Sequence, residues 1–211
     1  MIQAATDFRA ALLPVRQQGR RHSCLAFAST AAHEHRVASP EYLSVEYLYY
    51  QSVKRMPGKN TMLGTSMAVA AEALANEGQP VEAAWPYSAV DVDPWLPPTI
   101  ATPLLKANLS VGSMDFKAIT AALDAGKPVV LGLVITDAFY RPDAKGHVSL
   151  RAADPDRAGH AVLAVGHVAD PRTDAALLVR NSWGPGWGVG GYGWLSQAYV
   201  ERQLRETALL T

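Results

Sequence analysis

The sequence contains a single cysteine, Cys24, among its 211 residues. An internal disulfide bond is therefore excluded, and so are zinc sites that are built from several cysteines. Lysine and arginine (19) balance aspartate and glutamate (19), and like charges form no block. This balance argues against nucleic acid or a membrane surface as a partner, because phosphate binding requires a basic patch.

No apolar run approaches about 18 residues, the length that spans a membrane. Residues 1–9 carry Asp7 and Arg9 and lack the apolar core of a signal peptide. Together with the single thiol, these absences predict a cytoplasmic protein, and export by a non-classical route is the alternative.

Apolar residues make up 49% of the chain, and helix patterns occupy its first half while strand patterns occupy its second half. This order predicts an α+β fold. The predicted helices are Cys24–Val37, Ser44–Arg55, Thr65–Asn76, Met114–Ala125 and a tail helix near Ser196–Glu206. The predicted antiparallel sheet, with turns at Asp154-Pro155 and Asp170-Pro171, contains the strands Pro128–Ile135, His160–Val168, Ala176–Val179 and Gly191–Leu195. We expect one domain over residues 1–211, with a helical lobe at about 20–110 and a β lobe at about 111–211.

Cys24 lies where a loop becomes a helix, and the positive end of the helix dipole favours a thiolate. A lone cysteine is more often a small buried apolar residue, so its interpretation depends on distant partners. His160 begins one apolar strand and Asn181 follows the end of the next. A nucleophilic thiol needs a base within hydrogen-bond reach, and that base needs an orienting group. Cys24, His160 and Asn181 are candidates for these three functions.

The segments around these residues resemble the papain-like cysteine peptidases (family C1). The matching segments are Leu13–Gly19 with Ser23–Ala28, Gly159–Gly166, and Asn181–Gly188 followed by Gly191-Tyr192-Gly193. The order Cys, His, Asn also matches papain, and the separation of Cys24 and His160 falls within papain's range of about 130–150 residues. Shorter matches at 7–9, 43–44 and 85–87 extend the resemblance over nearly the whole chain. It implies a two-lobed fold, in which a helical N-terminal lobe and a C-terminal antiparallel sheet or barrel enclose an active-site cleft.

The resemblance also implies a role for each residue of the site. Cys24 would be the nucleophile of a cysteine endopeptidase, His160 its ion-pair partner and later the acid, and Asn181 the group that orients the imidazole. Gln18 would donate an amide hydrogen to the oxyanion beside the backbone N–H of Cys24. Trp183 would cover the pair of His160 and Asn181. No cofactor or metal is expected.

Substrate-binding walls can be carried over from the family in the same way. They are Gly64, Thr65, Ser66, Met67, Gly132, Ala161 and Trp183. Met67, Ala161 and the strand around Gly132 would form an uncharged pocket for the residue two positions upstream of the cut bond. We therefore expect Leu, Val or Phe there rather than Arg or Asp, since a charged side chain would lose its hydration without a partner.

Two departures from the family pattern leave alternatives open. His22 stands where the family has glycine two residues before the nucleophile, and Thr65 replaces the second glycine of a pair that lets the substrate backbone approach. These residues favour a catalytically weak pseudopeptidase that binds a partner without cutting it. The intact Cys24, His160, Asn181 and Gln18 argue against that alternative. The other alternative is an amidase or acyltransferase with one dedicated substrate.

The resemblance is to bacterial-type members, and no inhibitory prosegment precedes the matched region in this sequence. Either the chain is trimmed from a longer protein, or its activity is controlled by something other than the cleavage of a prosegment. The expected partners are a peptide or protein substrate and a separate inhibitor or regulatory protein. A metal site at His33-Glu34-His35 is disfavoured, because side chains two positions apart on a helix diverge by about 200°.

Overall fold

The computed structural model describes residues 4–168 and 175–211, so the predicted turn at Asp170-Pro171 lies outside the described residues. The helices in these ranges are α1 (Cys24–Arg36), α2 (Val45–Arg55), α3 (Met67–Asn76), α4 (Phe116–Asp124), α5 (Asp137–Tyr140) and α6 (Gln197–Gln203). The strands are β1 (Thr6–Asp7), β2 (Leu109–Val111), β3 (Val129–Thr136), β4 (His147–Val148), β5 (Asp156–Val168), β6 (Ala176–Arg180), β7 (Tyr192–Ser196) and β8 (Leu204–Leu210).

The strands form one sheet in the order β2-β8-β3-β5-β6-β7-β4, and β1 pairs with β5. Every pair is antiparallel except β4 with β7. The predicted α+β fold is therefore confirmed. The alternative of a barrel is wrong, because within the described residues β2 and β4 end the order without pairing to each other.

The tail of the chain differs from the prediction. The helix capped by Ser196 ends at Gln203, and residues 204–210 form β8 rather than continuing the helix to Glu206. This strand pairs with β2 on one side and with β3 on the other. Pairing on both sides satisfies its backbone hydrogen bonds and outweighs the local helix signal.

Strand β5 separates two apolar cores. Its residues Ala161, Leu163 and Val165 pack in the core formed with α1, α2 and α3, whereas Val162 and Ala164 pack in the core formed with α4 and α6. The alternation follows from the period of two residues in a strand. β5 begins at Asp156, four residues earlier than predicted, so His160 lies inside the strand rather than at its start.

A buried ion pair ties the loop before α1 to α2. The side chains of Arg21 and Glu46 are each 1% exposed, and their closest atoms are 2.7 Å apart. The indole N–H of Trp95 and the backbone N–H of Ser88 also donate to the Glu46 carboxylate, at 2.6 and 3.1 Å. A buried carboxylate is stable only when its oxygens are paired in this way. The same contacts hold the Pro-rich segment 79–113 against the helices.

Glu34 of α1 is a second buried carboxylate. Its Oε1 accepts the backbone N–H of Leu43 at 2.9 Å. Burial raises the pKa of Glu34 to about 7, although the Leu43 N–H and the charges of Arg180 and Arg16 oppose the increase. Between pH 4.5 and about 7 the folded state therefore binds a proton that the unfolded state releases.

We predict that Glu34→Gln gains stability relative to the wild type as the pH rises. The contribution of protonated Glu34 is complete below pH 4.5 and is lost as the pH passes about 7. Glutamine keeps the acceptor for Leu43 and cannot ionise. Urea unfolding at pH 5 and pH 8 should show the difference between the two proteins changing by about 2–3 kcal/mol in favour of the variant. A difference that is equal at both pH values would show that Glu34 ionises normally.

Candidate active site

Cys24 is the first residue of α1, but Ser23 does not cap that helix. The Ser23 hydroxyl instead forms a 2.6 Å hydrogen bond with the hydroxyl of Tyr87, and no side chain occupies the cap. The first backbone N–H groups of a helix have no partner within it. Those of Cys24 and Leu25 contact the thiol, as does the N–H of Ala161 on β5. The thiol thus lies where α1 meets the sheet.

Burial raises the pKa of the Cys24 thiol, while the three backbone N–H groups around it act in the opposite direction. The helix N-terminus therefore stabilises a thiolate, as the sequence predicted. Removal of the thiol from water has the larger effect on its pKa while His160 is uncharged.

His160 and Asn181 form a buried hydrogen-bonded pair. His160 Nε2 lies 2.8 Å from Asn181 Oδ1, and the two residues are 7% and 2% exposed. Because the amide oxygen only accepts, Nε2 carries the proton and Nδ1 is the basic nitrogen of the neutral ring. Burial lowers the pKa of His160 to about 4, and the hydrogen bond to Asn181 opposes this decrease.

Aromatic rings cover this pair. The centroid of Trp183 lies 4.6 Å from that of His160, and Phe139 contacts the imidazole edge-on at 5.5 Å. The indole N–H of Trp187 donates to the backbone carbonyl of Phe139 at 2.9 Å, which holds the cover in place. The structure thus places Trp183 against the His160–Asn181 pair.

The structure brings Cys24 and His160 together in the wall of one cleft with a volume of about 270 Å³. Four of the predicted substrate-binding residues also line it: Gly64, Thr65, Gly132 and Ala161. Ser66 and Met67 are not among its walls, because α3 begins at Met67 and buries that side chain in the helical core. Trp183 lines a neighbouring hollow instead.

Several walls of the cleft were not predicted. They are His22, Leu25, Leu63, Leu133, Val134, Gly159, Arg205 and Glu206. The two charged residues at positions 205 and 206 were missed because the sequence placed them in a tail helix. The Thr65 hydroxyl, which does line the cleft as predicted, is buried and has no hydrogen-bond partner among the described residues.

Gln18 is buried next to the same segments. Its Nε2 donates to the carbonyl of Arg21 at 2.7 Å, and its Oε1 accepts the hydroxyl of Ser182 at 2.7 Å. Its backbone N–H donates to the Ser182 carbonyl at 2.7 Å. A primary amide has two N–H groups, so one remains after the bond to Arg21. Gln18 is not among the walls of the cleft, and its oxyanion function stays a prediction.

His33 and His35 lie apart from the cleft. His33 Nδ1 pairs with Gln79 Oε1 at 2.9 Å, and His35 packs against Phe8. Within residues 4–168 and 175–211, no three His, Cys, Asp or Glu side chains are grouped so that they could hold a metal ion. In the same ranges, no helix is both long enough and apolar enough to cross a membrane.

The sequence profile described as papain family cysteine protease matches residues 2–209. Pro-cathepsin H of Bos taurus is 30% identical over 185 residues, which are 85% of this chain and 54% of that protein. A cathepsin L-like peptidase of Aedes aegypti is 29% identical over 198 residues, which are 90% of this chain and 58% of that protein. The chain therefore spans a little over half the length of these curated relatives.

A solved structure extends the comparison to the fold. Xylellain, a cysteine protease from Xylella fastidiosa, superposes with a TM-score of 0.81 at 25% identity, and the match covers 100% of this chain and 87% of that one. The predicted papain-like fold is thus confirmed. Because both the profile and the superposition extend over almost every residue, the chain belongs to the papain family of cysteine proteases.

Proposed function

We propose that the protein is a cysteine endopeptidase in which Cys24 attacks peptide bonds. The observation that carries this proposal is the buried hydrogen bond from His160 to Asn181, since His160 lines the same cleft as Cys24, the only cysteine of the chain. A neutral imidazole with a fixed Nε2 proton presents Nδ1 as a base, which is what a thiol nucleophile requires.

The negative charge on Cys24 and the positive charge on His160 arise together. Burial disfavours a lone thiolate at Cys24 and a lone imidazolium at His160. Proton transfer from the thiol to Nδ1 creates both charges at once, and each then stabilises the other. The helix N-terminal N–H groups of Cys24 and Leu25 add to the stability of the thiolate.

The thiolate then attacks the substrate carbonyl, and the imidazolium of His160 protonates the leaving amine. Water activated by His160 hydrolyses the acyl-enzyme and regenerates the thiol. The backbone N–H of Cys24 and the remaining amide N–H of Gln18 are the proposed donors to the oxyanion. Asn181 keeps the ring in one orientation through these steps.

The endopeptidase mode is supported by room on both sides of the reacting centre. The main cleft extends from Cys24 towards Gly64 and Glu206. A second hollow, of about 460 Å³, begins at Trp183, whose ring packs on His160, and it is also lined by Tyr140 and Arg141. A peptide that continues in both directions from the cut bond would therefore find surface to contact.

The remaining predictions stay proposals. A peptide or protein substrate follows from the family, and the single thiol supports a reducing compartment such as the cytoplasm. A separate inhibitor remains a proposed partner. The bacterial-type character is also a proposal. Xylellain from Xylella fastidiosa supports it, whereas the curated relatives named above come from Bos taurus and Aedes aegypti. His22 and Thr65 both line the cleft, and these two departures from the family pattern are the features that favour the pseudopeptidase alternative.

We predict that Cys24→Ala folds like the wild type and loses more than about 99.9% of its peptide hydrolysis, because only binding and oxyanion contacts remain. Circular dichroism checks the fold, and cleavage of a fluorogenic peptide checks the rate. A thiol-directed epoxide should label the native wild type and not the variant. Residual turnover above about one part in a thousand would mean that another group is the nucleophile.

We predict that Asn181→Ala slows hydrolysis by roughly a hundredfold, the lower end of a general-base contribution. The imidazole loses its hydrogen-bond acceptor but keeps its basic nitrogen, so the epoxide should still alkylate Cys24. Asn76→Ala, at the exposed end of α3, is the matched control and should retain the wild-type rate. A fully active Asn181→Ala enzyme would require a different orienting group.

We predict that the rate at which iodoacetamide alkylates native Cys24 increases as the pH rises through about 4, which gives the pH–rate profile an acid limb there. The reason is that burial lowers the pKa of His160 to about 4. Above that pH the imidazole is a neutral base that can accept the thiol proton. Protein unfolded in urea should instead react only near the ordinary thiol pKa of about 8.5. An acid limb of the native protein near pH 6.5, the ordinary imidazole value, would contradict the burial effect.

A further inference from the structure

The side chain of Tyr87 connects the two segments that carry the proposed oxyanion donors. Its hydroxyl donates to the backbone carbonyl of Gln18 at 2.7 Å and lies 2.6 Å from the hydroxyl of Ser23. A phenol has one hydrogen, so the Ser23 hydroxyl is the donor in the second bond. Ser23 precedes Cys24, whose backbone N–H is the other proposed donor. Two hydrogen bonds in series therefore join the Gln18 backbone to the residue before the nucleophile.

The ring of Tyr87 is itself held on several sides. Its edge packs on Phe27 with the ring centroids 4.7 Å apart, and the guanidinium of Arg21 lies 5.4 Å from its centroid. Its backbone N–H donates to Glu82 Oε1 at 2.8 Å. Burial raises the pKa of Tyr87, although the hydrogen bond from Ser23 opposes the increase. The hydroxyl therefore keeps its hydrogen at neutral pH and stays a donor to the Gln18 carbonyl.

Gln18 is held by Tyr87 at one end and by other segments at the other end. Its Oε1 accepts the Ser182 hydroxyl and its Nε2 donates to the Arg21 carbonyl, both at 2.7 Å. These two bonds fix the plane of the side-chain amide, and with it the direction of the second N–H on Nε2. The bond from Tyr87 fixes the carbonyl of the backbone from which that side chain extends. The direction of the second N–H thus depends on both ends.

We propose that Tyr87 is a positioning residue for the oxyanion site, whose hydroxyl holds the amide of Gln18 and the backbone N–H of Cys24 in one fixed arrangement. The inference rests on the proposed peptidase function. Donors that are fixed before the reaction stabilise a developing oxyanion without a cost of reorganisation. Loss of the Tyr87 hydroxyl would release the Gln18 carbonyl and leave the Ser23 hydroxyl without its acceptor.

Two reactions of the same thiol separate this function from a general structural one. Attack on a peptide carbonyl places negative charge on the carbonyl oxygen, which needs the oxyanion donors. Attack of the thiolate on iodoacetamide forms an S–C bond and breaks the C–I bond, and the negative charge leaves with iodide. The Tyr87 hydroxyl should therefore affect peptide hydrolysis and not alkylation.

The test compares the wild type with Tyr87→Phe, which keeps the ring and loses the hydroxyl. Hydrolysis of a fluorogenic peptide is measured as kcat/KM, alkylation by iodoacetamide as a second-order rate, and binding of a peptide nitrile as Kd. When the thiolate adds to the nitrile carbon, a C–N π bond breaks and the nitrogen takes the proton of His160. That nitrogen occupies the place of the oxyanion. Tyr42→Phe is the matched control, because it also removes a hydroxyl that donates to a backbone carbonyl of this loop, that of Pro14 at 3.1 Å.

Tyr87→Phe should lower kcat/KM and weaken nitrile binding by about tenfold each, the effect of one lost hydrogen bond, and should leave the alkylation rate within about twofold of the wild type. Tyr42→Phe should keep all three wild-type values. In a Gln18→Ala background, adding Tyr87→Phe should lower kcat/KM by less than about threefold, because the side-chain donor that it positions is already absent.

An equal loss of hydrolysis and alkylation in Tyr87→Phe would indicate a general disturbance of the site and would overturn the inference. A wild-type kcat/KM, or a full tenfold loss in the Gln18→Ala background, would overturn it as well. If the wild type hydrolyses no peptide, the proposed peptidase function fails and nitrile binding decides the inference. Weaker binding to Tyr87→Phe than to Tyr42→Phe would then support it, and equal binding would overturn it.

Discussion

The packing of α1 against β5 is the contact on which the site depends. Nearly every residue of α1 up to Glu34 is buried, and alternate residues of β5 pack against the same core. The alanines of α1 have no long side chains, so helix and strand approach closely. Cys24, at the start of the helix, thereby contacts the N–H of Ala161, the neighbour of His160. A displacement of either element would separate the thiol from its proposed base.

The loop before α1 is held without a covalent bond. With a single cysteine in the chain, no disulfide can form, and Arg21 is instead paired with Glu46 in the core. The Glu46 oxygens also accept hydrogen bonds from Trp95 and Ser88. These bonds offset the cost of burying two charges, and they anchor the loop that carries Gln18.

Local patterns predicted the helices well, because their signals lie within one turn of each element. Ser44 caps α2 by accepting the N–H of Tyr47 at 3.1 Å, as its position in the sequence suggests. The last strand could not be predicted in the same way. Residues 204–210 form β8 because the backbones of β2 and β3 are present on both sides, and a local pattern contains no information about such distant partners.

The sequence by itself determined the family, the candidate residues Cys24, His160 and Asn181, and the absence of any internal disulfide bond. These conclusions depend on residue identity and order along the chain. Only the tertiary structure decided that Glu206 lines the cleft, since this residue lies on a strand that the sequence had assigned to a helix. It also decided the pKa directions of Cys24 and His160, because burial depends on atoms contributed by distant segments.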